Sequence, residues 1–257
     1  MKGYFSKVLA TLFFAFAAFS ASAQPAKTIT IAADEWCPIN CAPNSKEEGI
    51  GIDLARKVFE PLGYKVEYKI MPWAEALKQV REGKVHAVVG ASRSDDKTLI
   101  FPDNAITEIV DGFYVRAGSP WRYQGVHTLK NKRIGIIEDY GYGEIVTSFI
   151  KKNQYTAGAL HIAKGKTPLQ DNIKQLLDAK IDVLVESRIV MDYTLKTSNL
   201  SDKILLAGSV PQDHVYLAFS PALPQSKALA AQYDTAIRSM KTSGALKRMY
   251  GKYGLVP

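Results

Sequence analysis

Cysteine and histidine are scarce in this chain: two and four among 257 residues. Cys37 and Cys41 have no histidine near them, the nearest being His86, so a zinc site of mixed Cys/His spacing finds no support. His86, His127, His161 and His214 are scattered and form no catalytic cluster. G-x-S-x-G, H-E-x-x-H and P-loop patterns are all missing, which removes the commonest local signatures of a nucleophile elbow, a zinc hydrolase and a nucleotide-phosphate cradle. Neither a metal nor a cofactor is implied. Nowhere do five like charges run together, so the formal charge of +8 is dispersed. Dispersed charge reads as solubility and weak attraction to anionic surfaces, not as nucleic-acid binding. After the first twenty residues no apolar run approaches the ~20 residues that a membrane-spanning helix needs.

The apolar run that does exist is at the start. Lys2 and Lys7 precede twelve apolar and small residues, Val8 to Phe19, and Ala21-Ser22-Ala23 follows. That order of charge, short apolar stretch and small-residue site is a secretory signal peptide, with cleavage expected after Ala23 by the general export route. The run is too short for an anchor. Cleavage leaves 234 residues with charge +6, enough for one large domain or two of ordinary size. An exported chain meets an oxidising compartment, and an even cysteine count there favours a Cys37–Cys41 disulfide over two free thiols. With so small a spacing, the bond shapes a local loop more than it stabilises the whole fold.

Behind the leader the hydrophobic pattern alternates between strand and helix. Thr28 to Ala33 reads as a buried strand that ends at Asp34-Glu35-Trp36. Gly51 to Phe59 has helical spacing, with Ile52, Ala55, Val58 and Phe59 on one face, and Pro61 and Gly63 stop it. Lys65–Ile70 is a strand, Trp73–Arg81 a helix, and Val85–Val89 a strand running into Gly90. Strand–helix–strand steps in succession predict a parallel sheet. The pattern then restarts. A strand Arg133–Ile137 is followed by the turn Gly141-Tyr142-Gly143 and a helix from Glu144 to Lys152. A helix over about Leu169–Ala179, a buried strand Ile181–Val185 and a helix from Ser187 complete a second unit, with helices from Ser226 and Ala245 in the tail. Two α/β units with their loops at the strands' carboxyl ends make a cleft where they face each other, and ligands bind at such ends in open α/β sheets.

The order of these pieces resembles the bacterial extracellular solute-binding proteins of the polar amino-acid transporter type. The matching segments are Gly49-Ile50-Gly51-Ile52-Asp53-Leu54, Met71-Pro72-Trp73, Gly83–Gly90, Phe101-Pro102, Leu129–Gly135, Lys180–Glu186 and the tail Ser243–Gly254. The resemblance covers nearly all of the mature chain. It implies a type 2 periplasmic-binding fold: two lobes, each a mostly parallel sheet flanked by helices, joined by two crossing strands. The crossings fall near Phe113-Tyr114-Val115 and Val215-Tyr216-Leu217. Lobe 1 is then 24–115 with 212–257, and lobe 2 is 116–211. The implied protein is a periplasmic monomer that hands a small polar solute, an amino acid or a related compound, to an inner-membrane ATP-driven permease. Periplasmic dehydratases for small cyclic acids and stand-alone sensor modules share the fold. An enzyme of that kind needs an acid or base at the cleft, for which Glu35, Glu186 and His214 are the candidates.

The residues suited to a polar solute sit where the strands end, since a buried polar group must have its charges and hydrogen bonds met. Asp34 and Trp36 follow the first strand. Trp36 stands where the family stacks an aromatic on the ligand, or else packs beneath the cysteine loop. Trp73 opens a helix near the cleft, with core packing as its other role. Ser92 and Arg93 follow Gly90-Ala91. The resemblance gives this segment a hydroxyl for the ligand's amine and an arginine soon after for its carboxylate, a pairing that bidentate geometry favours. Here the family's arginine position holds Lys97. Three readings stay open: Lys97 acts as a point charge, Arg93 takes the role from another angle, or the solute is not an α-amino acid. Tyr140, Gly141 and Tyr142 open a helix whose free N–H groups and close backbone approach suit a ligand. Glu186, next to a buried apolar strand, stands where the family commonly holds the ligand's amine with aspartate; a helix N-terminal acid is its plainer role.

Overall fold

A computed structural model describes residues 27–255. The expected signal peptide and its cleavage site lie outside the described residues. The first strand, β1 (Lys27–Ala33), is rich in β-branched residues and buried from Ile29 onward. Gly49 then starts α1 (Ile50–Phe59) at φ +102°, where a Cβ would lie 2.5 Å from the Ile39 carbonyl oxygen. Only glycine fits that turn. β2 (Tyr64–Ile70), α2 (Trp73–Arg81) and β3 (Ala87–Ala91) follow. A long strand, β4 (Thr107–Arg116), leads to β5 (Ile134–Ile137), α3 (Gly143–Asn153), β6 (Leu160–Ala163), α4 (Pro168–Leu177), β7 (Val183–Ser187) and α5 (Arg188–Thr197). The chain returns along β8 (Ile204–Phe219) and ends in α6 (Ser226–Thr242) and α7 (Ala245–Lys252).

The eight strands lie in the order β2-β1-β3-β8-β4-β7-β5-β6. This is a two-lobed α/β arrangement. β1 pairs in parallel with β2 and β3, and β5 does so with β6 and β7. Each parallel trio is closed by one antiparallel strand, β8 beside β3 and β4 beside β7. β4 and β8 pair with each other between the halves. Side chains alternate across the sheet. Ile29 and Ile31 of β1 join the core beneath α1 and α6, while Ala32 faces Trp73, Leu77 and Val80 of α2. In the second half Leu184 joins that same larger core, whereas Val183 and Val185 meet Tyr142, Val146 and Phe113.

The tail is tied back to the first half. Asp234 of α6 accepts hydrogen bonds from the backbone N–H groups of Asp103 and Asn104 at 2.9 and 2.8 Å. Asp53 of α1 accepts from Lys252 and from the Tyr253 hydroxyl at 2.8 and 2.7 Å.

β3, which lies two residues further on than expected, β6, β7 and the two crossing strands depart from the sequence reading. β6 has no apolar run to betray it, because three of its four residues are only partly buried or exposed. β7 lies two residues further on than expected, so Glu186 is inside the strand, opposite Gly112, and does not follow it. The crossing strands are far longer than their three-residue apolar centres. β8 carries Pro211, which lacks a ladder donor, and the β4–β8 register shifts between Glu108 and Val110, where Val110 faces Pro211.

Candidate functional site

The carboxyl ends of β1, β3, β5 and β7 converge on one cavity between the halves. It is lined by Asp34, Trp36, Trp73, Val89, Gly90, Ser92, Asp95, Asp111, Tyr140, Gly141, Tyr142, Glu186, Ser187 and Val215. Eight of the residues singled out from sequence are therefore brought together: Asp34, Trp36, Trp73, Ser92, Tyr140, Gly141, Tyr142 and Glu186. The cavity is narrow, about 30 Å³, room for two or three waters at ~10–15 Å³ each.

Contacts across the cavity join the first half to the second. The Trp36 indole Nε1–H donates to Glu186 Oε1 at 2.9 Å. The Tyr140 hydroxyl donates to Asp34 Oδ2. Gly141 lies so close to Asp95 that a Cβ there would meet its carboxylate oxygen at 2.3 Å, so a side chain at 141 would displace the Asp95 carboxylate. The aromatic rings meet around Tyr140. Trp36 and Trp73 approach it edge-on, with centroids 6.3 and 6.5 Å away at 83° and 82°. Tyr142 stands 6.3 Å from it, and its hydroxyl accepts the Ile137 N–H at 2.7 Å. Trp73 serves both of its expected roles, packing with Leu77 and Val80 while lining the cavity.

Four carboxyl groups line this space and no lysine, arginine or histidine does. Burial, reinforced by repulsion from nearby acids, pushes all four up. Asp34 and Asp95 stand at about 6, Glu186 at about 7 and Asp111 at about 8. Hydrogen bonds temper three of them: Tyr140 at Asp34, Ser92 and Gly141 at Asp95, Trp36 and Ser187 at Glu186. Asp111 has no such relief, and its main neighbour in charge is Glu186. Among the described residues, Asp111 Oδ2, Glu186 Oε2 and the Ser187 hydroxyl are buried without a hydrogen-bond partner. Unpaired buried acceptors of this kind are costly, by ~1–3 kcal/mol or more each, and they invite a donor.

The two cations proposed for a carboxylate are not in the cavity. Arg93 is exposed, and its guanidinium lies 5.0 and 4.9 Å from the Phe101 and Tyr216 rings while donating to the Pro102 carbonyl at 3.2 Å. Lys97 is exposed on the loop beyond Asp95. Glu35 and His214 are exposed as well and do not line the cavity. Conversely, sequence reasoning missed Asp95, Asp111 and Ser187 as lining groups. Asp111 had a signal: a lone acid within the apolar run Ile109-Val110-Asp111-Gly112-Phe113.

The cysteines serve the site from behind. Cys37 and Cys41 are disulfide-bonded, with Cα atoms 4.7 Å apart. Trp36 directly precedes the loop they close; its backbone N–H donates to the Asn40 carbonyl at 2.7 Å, and the Asn40 side chain in turn donates to the Asp34 carbonyl at 2.7 Å. A loop this short gives at most about 2 kcal/mol of chain-entropy stabilisation. Replacing both cysteines with serine is therefore expected to lower Tm by at most ~4–8 °C. Solute affinity is expected to fall with it, because Trp36 loses its fixed position. Calorimetry on the unfolding and the binding separates the two effects.

The sequence profile of the bacterial extracellular solute-binding proteins, family 3, matches residues 29–256. Comparison with curated proteins finds no match. Among solved structures, a histidine kinase sensor domain with similarity to periplasmic binding proteins superposes with TM-score 0.74 at 19% identity, covering 91% of this chain and 99% of that one. An ancestral arginine-binding protein bound to arginine gives 0.71 at 21%, over 90% and 99%. The arginine-, lysine-, histidine-binding protein ArtJ from Geobacillus stearothermophilus gives 0.70 at 19%, over 90% and 96%. At these identities the likeness is one of fold.

Proposed function

This chain belongs to the bacterial extracellular solute-binding proteins, family 3, and from that premise we propose that it captures a small polar solute between its halves, outside the cytoplasmic membrane, and presents it to an ATP-driven importer. The observation that carries this reading is the cavity itself, where aromatic walls from both halves meet the unpaired buried groups of β4 and β7. Its volume admits a solute only if β4 and β8 let the halves part. Such hinge closure is driven by a solute that binds the closed form better than the open one. The existing cross-cavity bonds, Trp36 to Glu186 and Tyr140 to Asp34, are the contacts that a solute would replace or bridge.

Isothermal titration with amino acids, amines and small carboxylates tests the proposal, with small-angle scattering in parallel. Binding of one solute accompanied by a smaller radius of gyration is the expected result. Failure to bind any member of the panel contradicts it. Conversion of a bound compound to a product, read by mass spectrometry, contradicts the transport role and points to an enzyme built around the cavity carboxyls.

A further inference from the structure

We infer that the solute is an organic cation without a carboxylate: an amine, a guanidine or a quaternary ammonium compound. The inference rests on the solute-binding reading and narrows it.

A bound carboxylate would need a cation or several N–H donors aimed at it. The lining residues include no basic side chain. The nearest candidate in sequence, Arg93, is engaged on the Phe101 and Tyr216 rings and on the Pro102 carbonyl. Two polar hydrogens of the lining are already given away within the cavity, by Trp36 to Glu186 and by Tyr140 to Asp34. A carboxylate placed here would face Asp34, Asp95, Asp111 and Glu186 with no cationic side chain among the lining residues to offset them.

Each of those features favours a cation. Asp111 and Glu186 are 2% and 1% exposed, and each presents one buried oxygen with no partner. They come from different strands, β4 and β7, and converge on the same cavity. The aromatic groups add a second, independent attraction. Trp36, Trp73, Tyr140 and Tyr142 surround the same space, and ring faces attract cations most where water is excluded. The ring faces suit an organic cation, whose N–H or N–CH₃ groups can lie against them.

Matched pairs decide the matter: arginine against agmatine, lysine against 1,5-diaminopentane, and glycine betaine against choline, each titrated by calorimetry into the full mature chain. In at least one pair the carboxylate-free member is expected to bind at least 100-fold more tightly. A carboxylate-bearing member that binds as tightly as its partner, or more so, overturns the inference while leaving the solute-binding role standing. Binding of an uncharged or anionic solute to the exclusion of all six does the same, whereas no binding of any solute overturns both. Asp111→Asn, checked for an unchanged Tm, is expected to weaken the best cation at least tenfold. Full affinity in that variant overturns the role given to the carboxyls.

Discussion

Glu186→Gln is expected to weaken binding of a cationic solute by about 30- to 4,000-fold, while the protein stays folded. The carboxyl has two separate duties. Its Oε1 accepts the Trp36 indole at 2.9 Å and the Ser187 N–H at 2.7 Å. Its Oε2 is buried and unpartnered. A glutamine carbonyl keeps the first duty, so Trp36 and the β7 backbone remain in place. Its amide puts N–H donors where a solute's own donors would point, which turns an attraction into a repulsion. Removing one member of a buried, hydrogen-bonded charge pair costs ~2–5 kcal/mol, and each 1.4 kcal/mol is tenfold in Kd. Calorimetric titration at constant pH reads the loss directly. Near-wild-type affinity would remove Glu186 from the site. Glu186→Ala is the poorer experiment, since it also deletes the acceptor that Trp36 needs.

Affinity for the cation should rise about 10- to 100-fold between pH 6 and pH 8, with a linked loss of stability in the free protein over the same interval. Glu186 at about 7 and Asp111 at about 8 hold protons near neutrality, chiefly because burial disfavours their charged forms. A bound cation favours those charged forms, so binding releases protons, up to one from each group. By linkage, affinity then climbs with pH until both are ionised, and it levels off above about 8. Stability without solute moves the other way. Below about pH 4 these carboxyls are neutral in folded and unfolded chains alike. As pH rises toward 8, the unfolded chain releases its protons first while the folded chain retains them, so the folded state loses its advantage as each folded-state value is passed. Asp34 and Asp95, at about 6, contribute the lower part of that fall. Tyr140 and Tyr142, both raised well above the ordinary tyrosine value by burial, stay neutral throughout. Thermal unfolding across pH 5 to 8 is expected to show Tm falling by several degrees without solute and recovering when the cation is added. A flat profile in both experiments would mean that the cavity carboxyls neither titrate in this range nor meet the solute.

The fold was legible in the sequence where burial writes a period. The face Ile52, Ala55, Val58 and Phe59 named α1, and the apolar runs ahead of Asp34 and Gly90 named β1 and β3. It was illegible where an element is held by pairing alone. β6 owes its place to its parallel ladder with β5, and β8 runs through Pro211 because β4 and β3 continue on either side of it. Much of the site was legible for the same reason that the strands were: Asp34, Trp36, Ser92, Tyr140 and Glu186 lie at or beside the ends of buried runs. The arginine expectation had no such anchor. Arg93 stands four residues before the family's arginine position at Lys97, and rings at Phe101 and Tyr216, remote in sequence from one another, take its guanidinium. Asp111 shows the complementary failure. The family resemblance placed a crossing strand near Phe113, and only the convergence of β4 with β7 and β3 shows that the acid on that strand faces a cavity.

A crystal structure of the protein with the tightest cation from the matched pairs tests the central claim most directly. The account predicts the solute between the halves, its cationic group within hydrogen-bond distance of Glu186 and Asp111 and against the ring faces around Tyr140, with Arg93 still on Phe101 and Tyr216. A solute bound elsewhere, or one that turns a carboxylate toward Glu186 and Asp111, would contradict it.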